Sequence, residues 1–248
     1  MENNHLQSKI AIIPIYNDTD NVVKVLNRFP DGVVNEICIV VDCPARSDIL
    51  RIEAAAKNLA TQVKIIPNKH VQGVGHALKK GIGYAIDRGH TIAVIMAGNN
   101  KDEPNEIPRL VEPILREDCD YVQGSRFLPG GSHTKNPFFR RVFSQIFPLA
   151  WNILTETKCT DVTNGFRSYR LKIFQDRRID IWQDWLDGYQ LEYYIHYKVL
   201  TLGYKTKEVP VSKTYPFSHR GGYSHISPIR DWWTIVGPLV YLSLGIKS

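Results

Sequence analysis

The chain of 248 residues is 43% hydrophobic, 10% aromatic and 23% charged, which excludes a disordered, collagen-like or disulfide-built protein and allows a full core without cross-links. Its 31 Lys and Arg against 25 Asp and Glu leave a net charge of +6, which favours an anionic partner such as phosphate or a membrane surface; no basic block marks a nucleic-acid tail, and no nucleic-acid partner is expected. Cys38, Cys43, Cys119 and Cys159 form no C-x-x-C pair and residues 1–8 carry no apolar signal run, so a zinc ribbon and a secretory leader are excluded and a cytoplasmic location is expected.

The first half alternates short apolar runs with segments of helical period. Residues 10–15, 37–41, 63–66 and 92–96 read as strands rich in Val and Ile. Between them Val22, Val25, Leu26 and Phe29, then Val74, Leu78, Ile82, Ala85 and Ile86, recur at helical spacing. This order predicts an α/β fold with a mostly parallel central sheet flanked by helices. Ligands of such sheets bind beyond the carboxyl ends of the strands, which here are residues 14–18, 42–43, 68 onward and 97–102. The texture then changes to a strand at 121–123, a loop at 124–136, a helix at 139–154, an extended segment at 162–169, a helix at 191–202 and a strand at 208–211. The apolar run 232–246 has 15 residues, short of the roughly 20 that a bilayer span needs. Two readings of it stand open, a core-packing helix and an interfacial helix anchored by Trp232 and Trp233.

Motifs sit at the strand ends and beyond: I-P-I-Y-N-D at 13–18, I-V-V-D at 39–42, G-V-G-H-A at 73–77, M-A-G-N-N-K-D-E-P at 96–104, G-S-R-F at 124–127, R-R-V-F-S at 140–144, T-N-G-F-R at 163–167 and Q-L-E at 190–192. Tyr16 offers a stacking face, and Asp18 either hydrogen-bonds a ligand or caps a helix. Gly73 and Gly75 let backbone approach a phosphate at a helix N-terminus, or serve tight helix packing. Arg126, Arg140, Arg141 and Ser144 make a basic and hydroxyl cluster suited to phosphate, or a solvated surface. The histidines show no metal-ligand spacing, and the chain has no G-x-S-x-G or Walker pattern, so hydrolase and P-loop readings lack their residues.

As an ordered set these motifs resemble the family 2 glycosyltransferases, and within them the dolichol-phosphate mannosyltransferase-like branch, over roughly residues 9–225. The resemblance implies the GT-A nucleotide-diphospho-sugar transferase fold. It places Pro14, Tyr16, Asp18, Asp42, Gly73, Gly75, Ala97 and Gly98 at the donor, with Arg220 and Ser224 in a loop closing over the donor phosphates. It places Arg126, Arg140, Arg141, Ser144, Arg167, Gln190 and Glu192 at the acceptor, with Asp161, Asn164 and Phe166 shaping that side. Departures from the family pattern are Cys43 and Pro44 after Asp42, His225 where a Lys often stands, and Ala97, Asn99 and Lys101 in place of Asp-x-Asp and its following Gln. Two hard ligands for Mg²⁺ or Mn²⁺ are thereby absent from the motif. Either the Lys101 ammonium supplies charge to the departing diphosphate, or Asn99, Asn100 and Asp102 build a mixed-oxygen metal site. Lys101, Asn99, Asp102 and Arg126 are the catalytic candidates.

The expected function is transfer of a sugar from a UDP-, GDP- or dTDP-linked donor to a polyprenyl phosphate, with inversion and without a strong base, because a phosphate acceptor is already anionic. Residues 1–227 are expected to form the catalytic domain and 228–248 the apolar C-terminal helix, peripheral on the cytoplasmic face of a membrane. Two rivals remain. One is a soluble family 2 transferase acting on a glycan or lipid-linked oligosaccharide, with Glu192, Asp161 or Asp102 as base. The other is a sugar-nucleotide-binding protein without turnover.

Overall fold

The computed structural model describes residues 7–134, 138–215 and 232–247, with backbone alone for 138–142 and 232. Among the described residues nine strands form: β1 (Lys9–Tyr16), β2 (Glu36–Asp42), β3 (Gln62–Asn68), β4 (Ile92–Ile95), β5 (Tyr121–Ser125), β6 (Ser132–Thr134), β7 (Arg167–Arg170), β8 (Thr206–Pro210) and β9 (Ser212–Thr214). Seven of them make one sheet in the order β3-β2-β1-β4-β7-β5-β8, and β6 pairs with β9 apart from it. All pairings in the large sheet are parallel except those of β7, which runs antiparallel to both β4 and β5. The mostly parallel α/β sheet expected from the alternation is present.

Period two along β1 builds both faces of the core. Ala11, Ile13 and Ile15 pack with Val22, Val25 and Leu26 of α1 (Thr19–Leu26), Ile52 of α2 (Arg46–Ala56) and Leu110 of α4 (Ile107–Arg116). Ile10 and Ile12 face the other way, onto Leu78 and Ile82 of α3 (Val74–Asp87) and Tyr194 of α6 (Gln190–Thr201). A third cluster joins Phe147 and Trp151 of α5 (Phe138–Thr155) to Tyr193 and to Ile235 and Leu239 of α7 (Trp232–Ser243).

Two elements differ from the sequence reading, and a third reading left open is narrowed. The extended segment expected at 162–169 pairs only from Arg167, because Asn164 bonds the Gly124 carbonyl through Nδ2 at 2.9 Å and holds a turn. The loop expected at 124–136 contains β6, which pairs with β9 in register from Ser132 to Thr134. In the apolar C-terminal run, Ile235, Leu239 and Leu242 of α7 are buried while Trp233 stays exposed. Among the described residues no helix is long and apolar enough to cross a membrane. The boundary expected at 227 lies outside the described residues.

His196 gives the fold a pH response. It is fully buried on α6, its Nδ1 lies 2.7 Å from the Tyr121 hydroxyl, and its ring lies 5.2 Å from that of Trp151. Burial, and secondarily the Arg167 charge, holds it well below the ordinary histidine range. The folded protein therefore keeps a neutral ring that the unfolded chain protonates. Stability is full above the unfolded value of about 6.5 and is lost as the pH falls below it, by on the order of 1 kcal/mol per pH unit. Thermal melts at descending pH should show that slope, and His196→Phe should flatten it; an unchanged slope in the variant would assign the response elsewhere.

Candidate active site

The sheet reverses its strand order between β1 and β4, the place where α/β sheets open a crevice at their carboxyl edge. Local chemistry makes the gap. The β1–β4 ladder ends at Ile12↔Ile95, and Pro14, two residues on, has no N–H to continue it. The chain leaving β4 then crosses β1 at Gly98, where a Cβ would stand 2.1 Å from Ile15 Cγ2. Asn17 after β1, Cys43 after β2 and Asn100 after β4 all have left-handed φ, at 49°, 48° and 58°. Backbone strain is thus concentrated at this edge.

On the side of β1, Tyr16 is exposed at 40%. Asp18 opens α1, and its Oδ1 accepts from Asn21 Nδ2 at 2.7 Å. Asp42, expected to read the donor, is buried at the end of β2 and braces the chain before α3. Its Oδ1 accepts from Asn68 Nδ2 at 2.6 Å, and its Oδ2 accepts from the backbone N–H groups of Gln72 and Gly73 at 3.2 and 3.1 Å. Gly73 and Gly75 resolve toward packing. A Cβ on Gly73 would meet Asp187 O at 2.5 Å, and one on Gly75 would meet Leu186 O at 2.1 Å. The backbone brought close to the start of α3 is the 186–188 turn, and His76 N donates to Asp187 O at 3.0 Å.

The loop after β4 is a cationic knot. Asp102 Oδ2 accepts from the Ala97 N–H at 3.1 Å, and its Oδ1 holds the Lys213 ammonium at 2.8 Å. Arg28 at the end of the α1 region donates to Asn100 Oδ1 at 3.1 Å and to the Asp102 carbonyl at 2.8 Å, and also pairs with Glu103. The Asn99 carbonyl oxygen Oδ1 accepts from the Lys101 N–H at 3.3 Å. Lys101 Nζ lies 5.4 Å above the Tyr215 ring. Arg28, Asn100, Lys101, Asp102 and Glu103 border a cleft of about 580 Å³ that is also lined by Lys24, Ser212 and Thr214.

Divalent ions need several hard oxygens, usually carboxylates, around one point. Among the described residues no group of three or more His, Cys, Asp or Glu could hold one. Asp102 has each oxygen engaged, and the amide oxygens of Asn99 and Asn100 already accept hydrogen bonds. The mixed-oxygen site expected from Asn99, Asn100 and Asp102 therefore does not fit a metal. Asp102 holds Lys213 and the loop backbone.

Beyond Tyr215, Arg126 is buried with Asp161. Arg126 Nε and Nη2 donate to Asp161 Oδ2 and Oδ1, each at 2.7 Å, Nη2 also reaches Thr163 Oγ1 at 2.7 Å, and Nη1 reaches the Tyr215 hydroxyl at 2.9 Å. Burial by itself would lower the affinity of Arg126 for its proton, and the adjacent Asp161 carboxylate reverses this and raises it. Thr163 Oγ1 lies 3.4 Å from Ser144 Oγ, which brings α5 to the same cluster. Lys101, Tyr215, Arg126 and Ser144 thus form one chain of contacts across the site.

Arg167 departs from its expected place at the acceptor. It is fully buried and donates to three carbonyl oxygens, those of Asn164, Glu192 and Val162, at 2.8, 2.7 and 2.9 Å. It is an internal strut. Glu192 lies over the 164–166 turn, where Gly165 leaves room for its carboxylate. Gln190 begins α6 with Oε1 buried against Gly188. Arg140 and Arg141 fall in the first turns of α5, where backbone alone is described, and Arg220, Ser224 and His225 lie outside the described residues.

Sequence reasoning missed Arg28, Lys213 and Tyr215. Arg28 follows an apolar helical stripe and reads as a helix end. Lys213 was legible as a charge between β-type residues, yet only the β6–β9 pair and the Asp102↔Lys213 bridge bring it to the loop after β4.

Comparison with known proteins follows this geometry. The family described as Glycosyl transferase family 2 matches over residues 10–178. An undecaprenyl-phosphate mannosyltransferase from Micrococcus luteus is 29% identical over 205 residues, covering 82% of each chain. A polyprenol monophosphomannose synthase from Mycolicibacterium smegmatis is 26% identical, covering 84% of this chain and 78% of its own. Among solved structures, glucosyl-3-phosphoglycerate synthase from Mycobacterium tuberculosis, in complex with Mn²⁺, UDP and glucosyl-3-phosphoglycerate, superposes with a TM-score of 0.66 at 15% identity, covering 98% of this chain and 82% of that one. At that identity the likeness concerns the fold.

Proposed function

The chain belongs to glycosyl transferase family 2, and from that premise we propose that it moves a hexosyl group from a nucleotide sugar to a polyprenyl phosphate at a membrane surface. It is a glycosyltransferase of the dolichol-phosphate mannosyltransferase-like branch. The names of both relatives join a polyprenyl phosphate to mannose, which makes mannose the first sugar to test. The observation that carries the reading is the chain of contacts from Lys101 through Tyr215 and Arg126 to Ser144 on α5. In this reading Lys101 serves the donor and Arg126 with Ser144 serves the acceptor. In the proposed step an acceptor phosphate oxygen bonds to the anomeric carbon as the bond from that carbon to the nucleoside diphosphate breaks, with inversion. The acceptor needs no base, and Lys101 faces the charge growing on the leaving diphosphate.

The membrane part rests on α5. Ile146, Leu149 and Ile153 are exposed at 58%, 62% and 77%, and their spacing puts them on one helix face. Ser144, Phe147 and Trp151 of the same helix are buried. Helix α5 therefore turns its polar and aromatic face inward and shows solvent an apolar one. That face is proposed to lie on the bilayer that carries the acceptor, on its cytoplasmic side.

Labelled UDP-, GDP- and dTDP-hexoses incubated with undecaprenyl phosphate in vesicles test the reaction. Solvent-extractable labelled lipid from one donor is expected; label moving only to a soluble glycan, or donor bound and released intact, would replace the reading with one of its rivals. For the surface, Ile153→Glu should weaken co-sedimentation with anionic vesicles on the order of tenfold, the cost of losing one buried aliphatic side chain, while nucleotide binding holds. Unchanged sedimentation would remove α5 from the membrane contact.

A further inference from the structure

In the proposed transfer the hexose passes between two anions, a leaving diphosphate served by Lys101 and an acceptor phosphate served by Arg126. The turn at 164–166 joins the two places. Asn164 Oδ1 accepts from the Lys213 ammonium at 2.9 Å, and the same ammonium donates to Asp102 Oδ1, in the loop after β4, at 2.8 Å. Asn164 Nδ2 donates to the Gly124 carbonyl at 2.9 Å, two residues before Arg126. Gly165 follows Asn164, and the Glu192 carboxylate lies against it: a Cβ on Gly165 would stand 2.6 Å from Oε1 and 3.7 Å from Oε2.

Glu192 differs from the other carboxylates around this turn. Asp102 is paired with Lys213, Glu103 with Arg28 and Asp161 with Arg126. Among the described residues the half-buried Glu192 side chain makes no hydrogen bond or ion pair. Its position is set through its backbone instead. Arg167 Nη1 donates to the Glu192 carbonyl at 2.7 Å, and the residue stands in the first turn of α6, where the helix dipole favours a negative charge.

Resting on the transfer reading above, we infer that Glu192 recognises the hexose of the donor: its carboxylate accepts hydrogen bonds from sugar hydroxyl groups, and Gly165 leaves the space that the carboxylate needs. This moves Glu192 away from the acceptor, where the family resemblance puts it. An unpaired carboxylate beside an acceptor phosphate repels it, since both carry negative charge. Hydroxyl groups entering a partly dehydrated site need acceptors, and an ionised one gives the stronger bond. Because the transferred hexose lies between the two phosphates, a group on the turn that joins their two sites is placed to meet it.

Titration calorimetry tests the assignment with UDP-, GDP- and dTDP-hexoses, mannose first, each beside its own nucleoside diphosphate, on the wild type, Glu192→Gln and Gly165→Ala. For the donor that the wild type binds, Glu192→Gln should weaken the nucleotide sugar on the order of tenfold and the bare diphosphate by less than about threefold, as expected for loss of a charged hydrogen bond to the sugar. Gly165→Ala keeps the carboxylate and displaces it, and should show the same selective loss; Gly165 has no left-handed φ, so its backbone accepts alanine. Equal weakening of both ligands in Glu192→Gln overturns the inference, and so does unchanged affinity for both. Two transfer results also overturn it: a raised KM for undecaprenyl phosphate with donor affinity intact, which returns Glu192 to the acceptor, and a loss in kcat alone, which makes it a base. Should Gly165→Ala fail to fold, the near-isosteric Glu192→Gln decides. Failure of the wild type to bind any of these nucleotides would instead strike the transfer reading beneath it.

Discussion

Replacing Arg126 by alanine is expected to lower stability by about 3–5 kcal/mol, because it strands the fully buried Asp161 carboxylate without its partner. In a chain of this size that corresponds to a fall in Tm of roughly 10 °C. Arg126 is also the guanidinium assigned to the acceptor, so the single variant mixes two effects. Four of its five side-chain N–H groups are already used on Asp161, Thr163 and Tyr215, which leaves one for an acceptor oxygen. The paired variant Arg126→Met with Asp161→Leu separates them, since removing both charges of a buried pair is often nearly neutral for stability. A folded double variant that binds nucleotide normally but transfers no sugar to lipid phosphate would give Arg126 its acceptor role. Normal transfer by that variant would reduce Arg126 to an internal strut, and a single variant as stable as wild type would mean the pair is solvated.

Lys101→Ala is expected to slow transfer on the order of 100-fold, the usual effect of deleting one preorganised charge stabiliser at a leaving group. Stability should change by less than about 1 kcal/mol, because the ammonium lies over the Tyr215 ring on a partly exposed loop. Single-turnover rates at saturating donor, with a melt on the same sample, check both halves. A rate within about threefold of wild type would remove Lys101 from the chemistry. Ranking Lys101→Ala against Asp102→Ala does not separate a lysine mechanism from a metal one, since Asp102 anchors Lys213 and the Ala97 backbone and its loss is costly under either. Nucleotide binding by the wild type in excess EDTA against excess Mg²⁺ makes that separation.

Strands β1 to β4 were legible because apolar runs rich in Val and Ile leave their period in a few consecutive residues, whereas the short polar β6 and β9 carry no such run. Helices α3, α5 and α6 were legible for the same reason, and their observed bounds fall within a residue or so of the expected ones. The region of the active edge was legible too, since Pro14, Asn17, Gly98 and Asn100 are residues that end ladders or accept unusual φ. The roles of single polar residues were not. Asp42, expected at the donor, also ties Asn68 to the turn before α3, and Arg167, expected at the acceptor, is buried and ties three carbonyls together. A carboxylate or guanidinium at a strand end looks the same in sequence whether it faces a ligand or a backbone.

By itself, then, the sequence determined the α/β alternation, the edge of the sheet that carries the site, the family, and the absence of Asp-x-Asp after β4. These depend on short-range periodicity, on turn-forming residues and on the order of motifs, all of which are local. The tertiary structure alone decided which charges meet. Arg126 finds Asp161 across 35 positions, Asp102 finds Lys213 across 111, and Arg28 reaches the Asp102 carbonyl across 74. Such pairings are settled by sheet order and by the burial that forces each charge to find a partner, and no spacing rule along the chain encodes them.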